Sequence, residues 1–550
     1  MRLSLLIVLA AACSPAWKQT PYDRLYQVEP VVALAPAPEK RAPDDWWNKI
    51  EYAMVRPLGQ LISPATYVKA VLGGPRADDV NRFGEVIDST WFENRAGRRA
   101  FTDDEVRVGA ATDAGLAPGP LDVVAGKIDG VSPGFIVRDA AGQIWYIKFD
   151  HPAFPEVSTS AEVISSRVLW LAGYLVPSMQ IGDIDLARFV LDPHATTHNH
   201  LHETVALTAK AFAQLMSNTN PDARDQIRVL YSRQLPGELL GPFSYRGRIG
   251  DDPNDTVAHE HRRSLRGLWL FSAWLNNTDT REANTLDTFR EITPDHRGIV
   301  EHYLIDFGDS FGATGLGEKA AIEGWEYLVD WTAVALNLAS FGMRAPPYLG
   351  LERSPFRSVG LFESKRFDPE QWKPALPNPA FYQRTREDLF WAAAIIATIQ
   401  PSQIRAAVEA GHYTEEGATN YVVETLLERR RKILEFAFEG FLEVTRPRLR
   451  ANILVLDDLR TLGNLGHPGA ITYVVTWDRT RHADSELARG STDSATPELA
   501  IDLTPALEAA KRIGLEDDPY ITVRLSRYDT AMQVHLRVAG TRLIVVGIDR

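Results

Sequence analysis

Cysteine is nearly missing from this chain: Cys13 is the only one in 550 residues, so no intramolecular disulfide can staple the fold. Positive charge is also short. Lysine and arginine number 59 against 72 aspartates and glutamates, a net charge of −13, which argues against nucleic acid as a partner. After the first dozen residues no apolar run approaches the roughly 18 needed to span a bilayer. There is no His-Glu-x-x-His, which disfavours a metallohydrolase built on the histidines. Apolar residues make up 45% of the chain, enough for a large core and two or more domains.

What is present begins at the N-terminus. Met1-Arg2 is a short basic segment, residues 3–12 are apolar, and Ala10-Ala11-Ala12 lead into Cys13. The stretch resembles a bacterial lipoprotein signal, in which cleavage before Cys13 leaves that cysteine to be acylated. The resemblance implies a signal peptide over residues 1–12, a palmitate-type lipid on Cys13 and a membrane-anchored protein of the cell envelope. Ser14 rather than Asp after the cysteine is similar to lipoproteins sorted to the outer membrane, facing periplasm or exterior. Leu9 stands one place further from Cys13 than the usual motif has it, and an ordinary secretory signal or a buried start is the competing reading. Residues 1–12 hold one charge, Arg2, so cleavage takes −13 to −14.

Residues 13–45 contain Pro15, Pro21, Pro30, Pro36, Pro38 and Pro43 with little periodicity, the pattern of an extended tether. Residues 46–120 are expected to be an N-terminal extension, opening with a helix over 46–55 that stops before Pro57. Strand-like runs at 123–128, 135–137 and 144–149 follow. Next comes a helix capped by Ser158 or Ser160 and ended by Gly173. A strand near 227–232 precedes Leu-Pro-Gly237, and a helix over 260–275 runs into a loop at Asp279. A hairpin turns at 294–298, and helices are predicted at 386–399, 402–410 and 419–438. Alternating runs at 471–477, 520–525, 533–538 and 542–548 predict a β-rich end. The divisions are an N-terminal lobe over 121–236, a C-terminal lobe over 237–446 and a β-rich domain over 447–550.

The chemistry is written most clearly in Asp279-Thr-Arg-Glu-Ala-Asn284 and Ile305-Asp306-Phe307-Gly308. Phosphoryl transfer of the kinase type needs a carboxylate at the attacking hydroxyl, with an amide and a second carboxylate on magnesium. Those three groups occur here in that order. Upstream, Lys148 sits in the apolar strand Ile144-Trp-Tyr-Ile-Lys148, and Glu162 follows on the predicted helix; the two can form an ion pair that holds nucleotide phosphates.

The ordered set resembles the protein and lipid kinase superfamily over roughly residues 121–445. Leu304-Ile-Asp-Phe-Gly-Asp-Ser-Phe-Gly312 is more similar to the metal-binding strand of phosphatidylinositol 3- and 4-kinases than to that of ordinary protein kinases. HipA-type and secretory-pathway kinases share the minimal residues on a divergent frame. The resemblance implies an α+β, two-lobed kinase-like fold with an N-terminal extension and a C-terminal β-rich domain. It implies ATP and Mg2+ as cofactors, with Lys148 on the phosphates and Glu162 orienting it. Asp279 would accept the hydroxyl proton, Asn284 and Asp306 would hold the metal, and Arg281 would stabilise charge near the transferred phosphate.

Departures accompany it. There is no Gly-x-Gly-x-x-Gly; the turn Asp129-Gly-Val-Ser132-Pro-Gly134 is the candidate to offer backbone N–H groups, through Ser132 and Gly134. Asn277-Thr278 stand where protein kinases carry His-Arg. No Ala-Pro-Glu follows Asp306 to close an activation segment, so regulation by loop phosphorylation is not expected. The leading expectation is an envelope kinase transferring phosphate to an unknown acceptor. A catalytically inactive pseudokinase lipoprotein serving as a binding scaffold stays open, as does nucleotidyl transfer. The histidines at 194, 198, 200 and 202 read as a solvated loop rather than a zinc site. His259-Glu-His261 reads as a helix start or a basic patch.

Overall fold

The computed structural model describes residues 33–41, 74–126, 134–198, 203–217, 219, 221–466, 469–477, 485–493, 496–512, 520–539 and 542–550. Cys13, Ser132, the helix expected at 46–55 and most of the expected tether lie outside them.

Ahead of the first lobe, α1 (Asp103–Val108) starts with a capping box in which Thr102 and Glu105 each bond the other's backbone N–H. Alternating apolar residues then form β1 (Leu121–Gly126), β2 (Gly134–Arg138) and β3 (Ile144–Lys148), paired antiparallel. After β3 comes α2 (Val157–Ala172), then β4 (Met179–Asp185), β5 (Phe189–His198), β6 (Thr204–Ala206), α3 (Ala209–Met216) and β7 (Gln226–Arg233). The seven strands form one sheet in the order β4-β7-β3-β2-β1-β5-β6. Val123, Val137, Trp145, Ile147 and Val229 fill a core against which Phe212 and Leu215 of α3 pack.

All of α2 except Trp170 is buried. Its small residues, Ser158, Ser160, Ala161, Ser165 and Ser166, let the sheet and the second lobe both come close. Neither expected serine caps it. Glu156 stands at the N-cap with a left-handed backbone (φ 69°) and makes no capping bond. Asp150, from the loop after β3, accepts the N–H groups of Ser158 (2.9 Å) and Thr159 (3.0 Å) instead, because a carboxylate satisfies the exposed donors and faces the positive end of the helix dipole. Gly173 ends the helix as expected; a Cβ there would lie 2.4 Å from the Phe92 ring.

Residues 234–237 carry the chain from β7 into the second lobe. There β8 (Glu238–Gly241), β9 (Thr285–Thr293) and β10 (Arg297–Leu304) make a three-stranded sheet, and β11 (Ala313–Thr314) pairs with β12 (Gly317–Glu318). Every residue of α4 (Arg263–Leu275) is buried. The lobe also holds α5 (Trp331–Ala339), α6 (Pro379–Tyr382), α7 (Arg386–Thr398), α8 (Pro401–Glu409) and α9 (Ala418–Phe438), of which α6, α7 and α9 pack on α4. Gly267 lets α4 and α7 touch: a Cβ there would meet the Trp391 ring at 2.7 Å.

The last part contains β13 (Val444–Arg450), β14 (Ile453–Asp458), α10 (Leu459–Leu462), β15 (Ile471–Trp477), β16 (Ser485–Thr492), β17 (Glu498–Asp502), α11 (Thr504–Arg512), β18 (Tyr520–Arg527), β19 (Thr530–Ala539) and β20 (Arg542–Asp549). Two sheets, β13-β14-β17 and β16-β15-β18-β19-β20, enclose their own apolar core. The fold is α+β, two-lobed with a β-rich C-terminal domain, as the sequence led us to expect.

Residues 33–41, the described part of the expected tether, are docked. Ala35 and Gly298 exchange backbone hydrogen bonds (3.1 and 2.8 Å), and the Arg41 N–H donates to Leu240 O (2.6 Å). The Arg41 guanidinium pairs with Asp287, whose side chain is fully buried.

Candidate active site

The site forms where β3, α2, the loop after α4 and the end of β10 meet. Strand alternation turns Lys148 off the apolar face of β3, and its ammonium lies 2.7 Å from both oxygens of Glu162 and 2.8 Å from Asp306 Oδ1. Burial alone would depress Lys148; the charges of Asp306 and Glu162 and their hydrogen bonds outweigh it and hold the lysine above its ordinary value. Glu162 is inside the wall of the site, its side chain 2% exposed, whereas that of Asp306 is 39% exposed and faces outward.

Asp306 has φ 56°, a conformation that a non-glycine residue keeps only where its surroundings impose it. Phe307, buried, anchors one side. Gly308 follows because there is no room for more: a Cβ would lie 2.7 Å from Ser158 Oγ. The Ile305 N–H donates to Asn284 O at 3.0 Å, which ties the two halves of the site.

On the opposite side, α4 ends at Asn276 in the left-handed conformation, φ 54°. Its last carbonyls are met by Arg429 of α9, whose guanidinium donates to Ala273 O (2.6 Å) and Trp274 O (2.9 Å). Burial pushes Arg429 down to about 9. The loop that follows holds Asp279, with Arg281 Nε 3.2 Å from its Oδ1. Asn284 donates its side-chain amide to the Asp279 carbonyl at 2.7 Å, so the amide oxygen is the part left for a metal.

Lys148, Glu162 and Asp306 thus come together directly, and Asp279, Arg281 and Asn284 share one short loop. Gly134 is not in a turn: it is the first residue of β2 and pairs across the ladder with Lys148. His198 contacts Thr204, and among the described residues no group of three or more histidines, cysteines or carboxylates could hold a metal. His259 is buried against Asp255, Nε2 to Oδ2 2.7 Å, rather than lining a basic patch.

Two charged residues of the site carry no motif. Asp309 is half-buried, and burial, together with the charges of Asp279, Asp306 and Glu323, pushes it up to about 7 against the opposing pull of Lys319. Lys319 follows β12 and is 4% exposed. Position three after Asp306 is at least visible in the sequence; nothing in local pattern marks Lys319. Gly308-Asp-Ser310-Phe-Gly312 also has the form Gly-x-Ser-x-Gly, the hydrolase elbow. Ser310 is fully buried and lies between a loop and a two-residue strand, so it cannot serve as an exposed nucleophile.

No protein-family model matches the chain, and no curated protein does. Among solved structures it is similar to a Helicobacter pylori proinflammatory kinase, CtkA, at 11% identity, over 58% of this chain and 95% of that one, with a TM-score of 0.31. It is also similar to the Golgi casein kinase with Mn and ADP bound, at 12% identity over 72% and 92% of the two chains, TM-score 0.29. A second Golgi casein kinase structure is similar at 12% identity over 75% and 97%, TM-score 0.29.

Proposed function

We propose that this protein is an ATP-dependent phosphotransferase of kinase-like design, held at the cell envelope by a lipid on Cys13. The observation that carries the reading is Lys148 held between Glu162 and Asp306, with the loop of Asp279 and Asn284 tied beside Asp306 through the Ile305 N–H to Asn284 O bond. A hard, all-oxygen donor pair, Asn284 and Asp306, suits Mg2+, which takes few protein ligands and completes its shell with water and phosphate. Magnesium and ATP, when bound, supply the phosphoryl group and neutralise its charge.

The chain's own residues do the rest. Lys148 turns from Asp306 to the phosphates while Glu162 keeps it in place, which frees Asp306 for the metal. Asp279 takes the proton of the attacking hydroxyl. Arg281, now on Asp279, is close enough to move to charge developing beside it.

Calorimetric titration of the detergent-solubilised protein with Mg2+-ATP tests this, beside Asp306→Ala. Micromolar binding by the wild type, weakened at least about tenfold in the variant, supports the site. Equal affinity in both removes Asp306 from it, and no binding by either leaves the inactive scaffold.

A further inference from the structure

Lys319 is an ammonium in a place where lysines are rarely found. Its Nζ donates to Thr278 Oγ1 at 2.5 Å, to Asn276 O at 3.2 Å and to the Asp309 carbonyl. An ammonium has three N–H bonds, and these three neutral oxygens use all of them. Lys319 therefore has no donor left for a substrate.

What it touches is informative. Asn276 and Thr278 begin the loop that carries Asp279, and Asp309 lies in the turn after Asp306. The loop's carbonyls are already tied elsewhere: Thr278 O accepts from the Ala375 N–H (2.8 Å) and Thr280 O from the Asn378 side chain (3.0 Å). The Thr278 hydroxyl is the side-chain handle on that loop, and Lys319 holds it. A neutral side chain of the same length would fill this space without the cost of desolvating a charge. Burial lowers Lys319 from its ordinary value, and the nearby carboxylate of Asp309 opposes that.

We infer that Lys319 is a positioning residue for phosphoryl transfer, locking the Asp279 loop to the turn after Asp306. This rests on the phosphotransferase reading above. Arg281 pairs with the Asp279 carboxylate itself, whereas Lys319 holds the start of its loop through Asn276 and Thr278. None of its hydrogen bonds is to the side chain of Lys148, Glu162, Asn284 or Asp306, so its loss is expected to fall on the rate more than on nucleotide affinity.

The test uses the full-length protein in detergent, with radiolabelled ATP turnover and Mg2+-ATP calorimetry on the wild type, Lys319→Met, Lys319→Arg and Thr278→Val. Lys319→Met is expected to lower kcat by about 30- to 100-fold, the scale of a misplaced catalytic group, while KM and Kd for Mg2+-ATP stay within about twofold. Lys319→Arg restores part of the rate, because a side chain with several N–H donors returns. A kcat within about threefold of wild type for Lys319→Met overturns the inference, as does a rate loss matched by an equal rise in KM. If Lys319→Met does not fold, Thr278→Val decides, since it removes one acceptor and keeps the lysine: an unchanged kcat there overturns the inference. A wild type that neither binds nor turns over ATP overturns the phosphotransferase reading and this inference together, a result distinct from an active wild type with an indifferent Lys319.

Discussion

At the scale of single residues, the site shows what a motif can carry and what it cannot. Lys148, Asp279, Asn284 and Asp306 could be singled out because kinase-type chemistry expects such groups in a fixed order along the chain. Glu162 was legible only as one carboxylate near another; both are buried, and what separates them is partner, since Glu156 turns to Thr414 and Glu162 to Lys148. Lys319 and Asp150 left no trace, because each acts on a loop distant in sequence. Asp309 offers a test of the site's electrostatics. Its folded value of about 7 lies above the ordinary 3.8, so between pH 4 and 7 the folded protein holds a proton that the unfolded chain has released. Folding stability from this group therefore falls as pH rises through that window. Asp309→Asn, which leaves the carbonyl to Lys319, is expected to raise Tm at pH 8 by about 2–4 °C in metal-free buffer, with no gain at pH 4. A gain of equal size at both pH values would remove the carboxylate's charge as its cause.

Elements were read best where they are long and periodic. The helices α7 and α9 and the strands β1–β3, β7 and β18–β20 stand within a few residues of their expected places. The misses in the first lobe include β4, β5 and β6: Gln180, Asp183 and Asp185 dilute the first, Pro193 interrupts the second, and the third is exposed throughout; β8, β13, β14, β16, β17, α3 and α11 were not expected either. Edge strands with one wet face have weak patterns. The buried α4 has a different weakness, since two of its residues are arginines. Arg263 Nε lies 2.9 Å from Asp388 Oδ1 and Arg266 Nη1 3.5 Å from Oδ2, with Asp388 fully buried. Asp388 also closes the capping box of α7 with Thr385. Asp388→Ala leaves both guanidiniums without their shared carboxylate and is expected to cost about 3–5 kcal/mol, read as a lowered denaturant midpoint. Gly267→Ala pushes a methyl into Trp391 and is expected to cost about 1–3 kcal/mol; a loss below 0.5 kcal/mol in chemical denaturation would show that the two helices can part without penalty.

For the molecule as a whole, the docked residues 33–41 show that the folded body includes chain well ahead of the first lobe. They lie on the β9–β10 hairpin, which runs from Asn284 to Asp306, so the segment buttresses the strands that connect the two candidate metal ligands. A chain beginning at residue 42 loses the Ala35–Gly298 pair and leaves Asp287 with His302 alone, at 2.6 Å. It is expected to melt below a chain beginning at residue 33, by about 1–3 kcal/mol of stability, and to exchange the Gly298 amide proton faster. Identical melting and exchange would mean that the segment contributes nothing to the hairpin.

That docking also sets a leash. With the proposed lipid on Cys13, 33 − 13 = 20 Cα–Cα steps lead from the anchor to Ala33, which covalent geometry limits to a reach of at most about 70 Å. The catalytic groups would then search a thin shell of space above one membrane, where an acceptor on that membrane is met at an effective concentration in the millimolar range. Release from the anchor would slow reaction with membrane-borne acceptors and leave dissolved ones untouched.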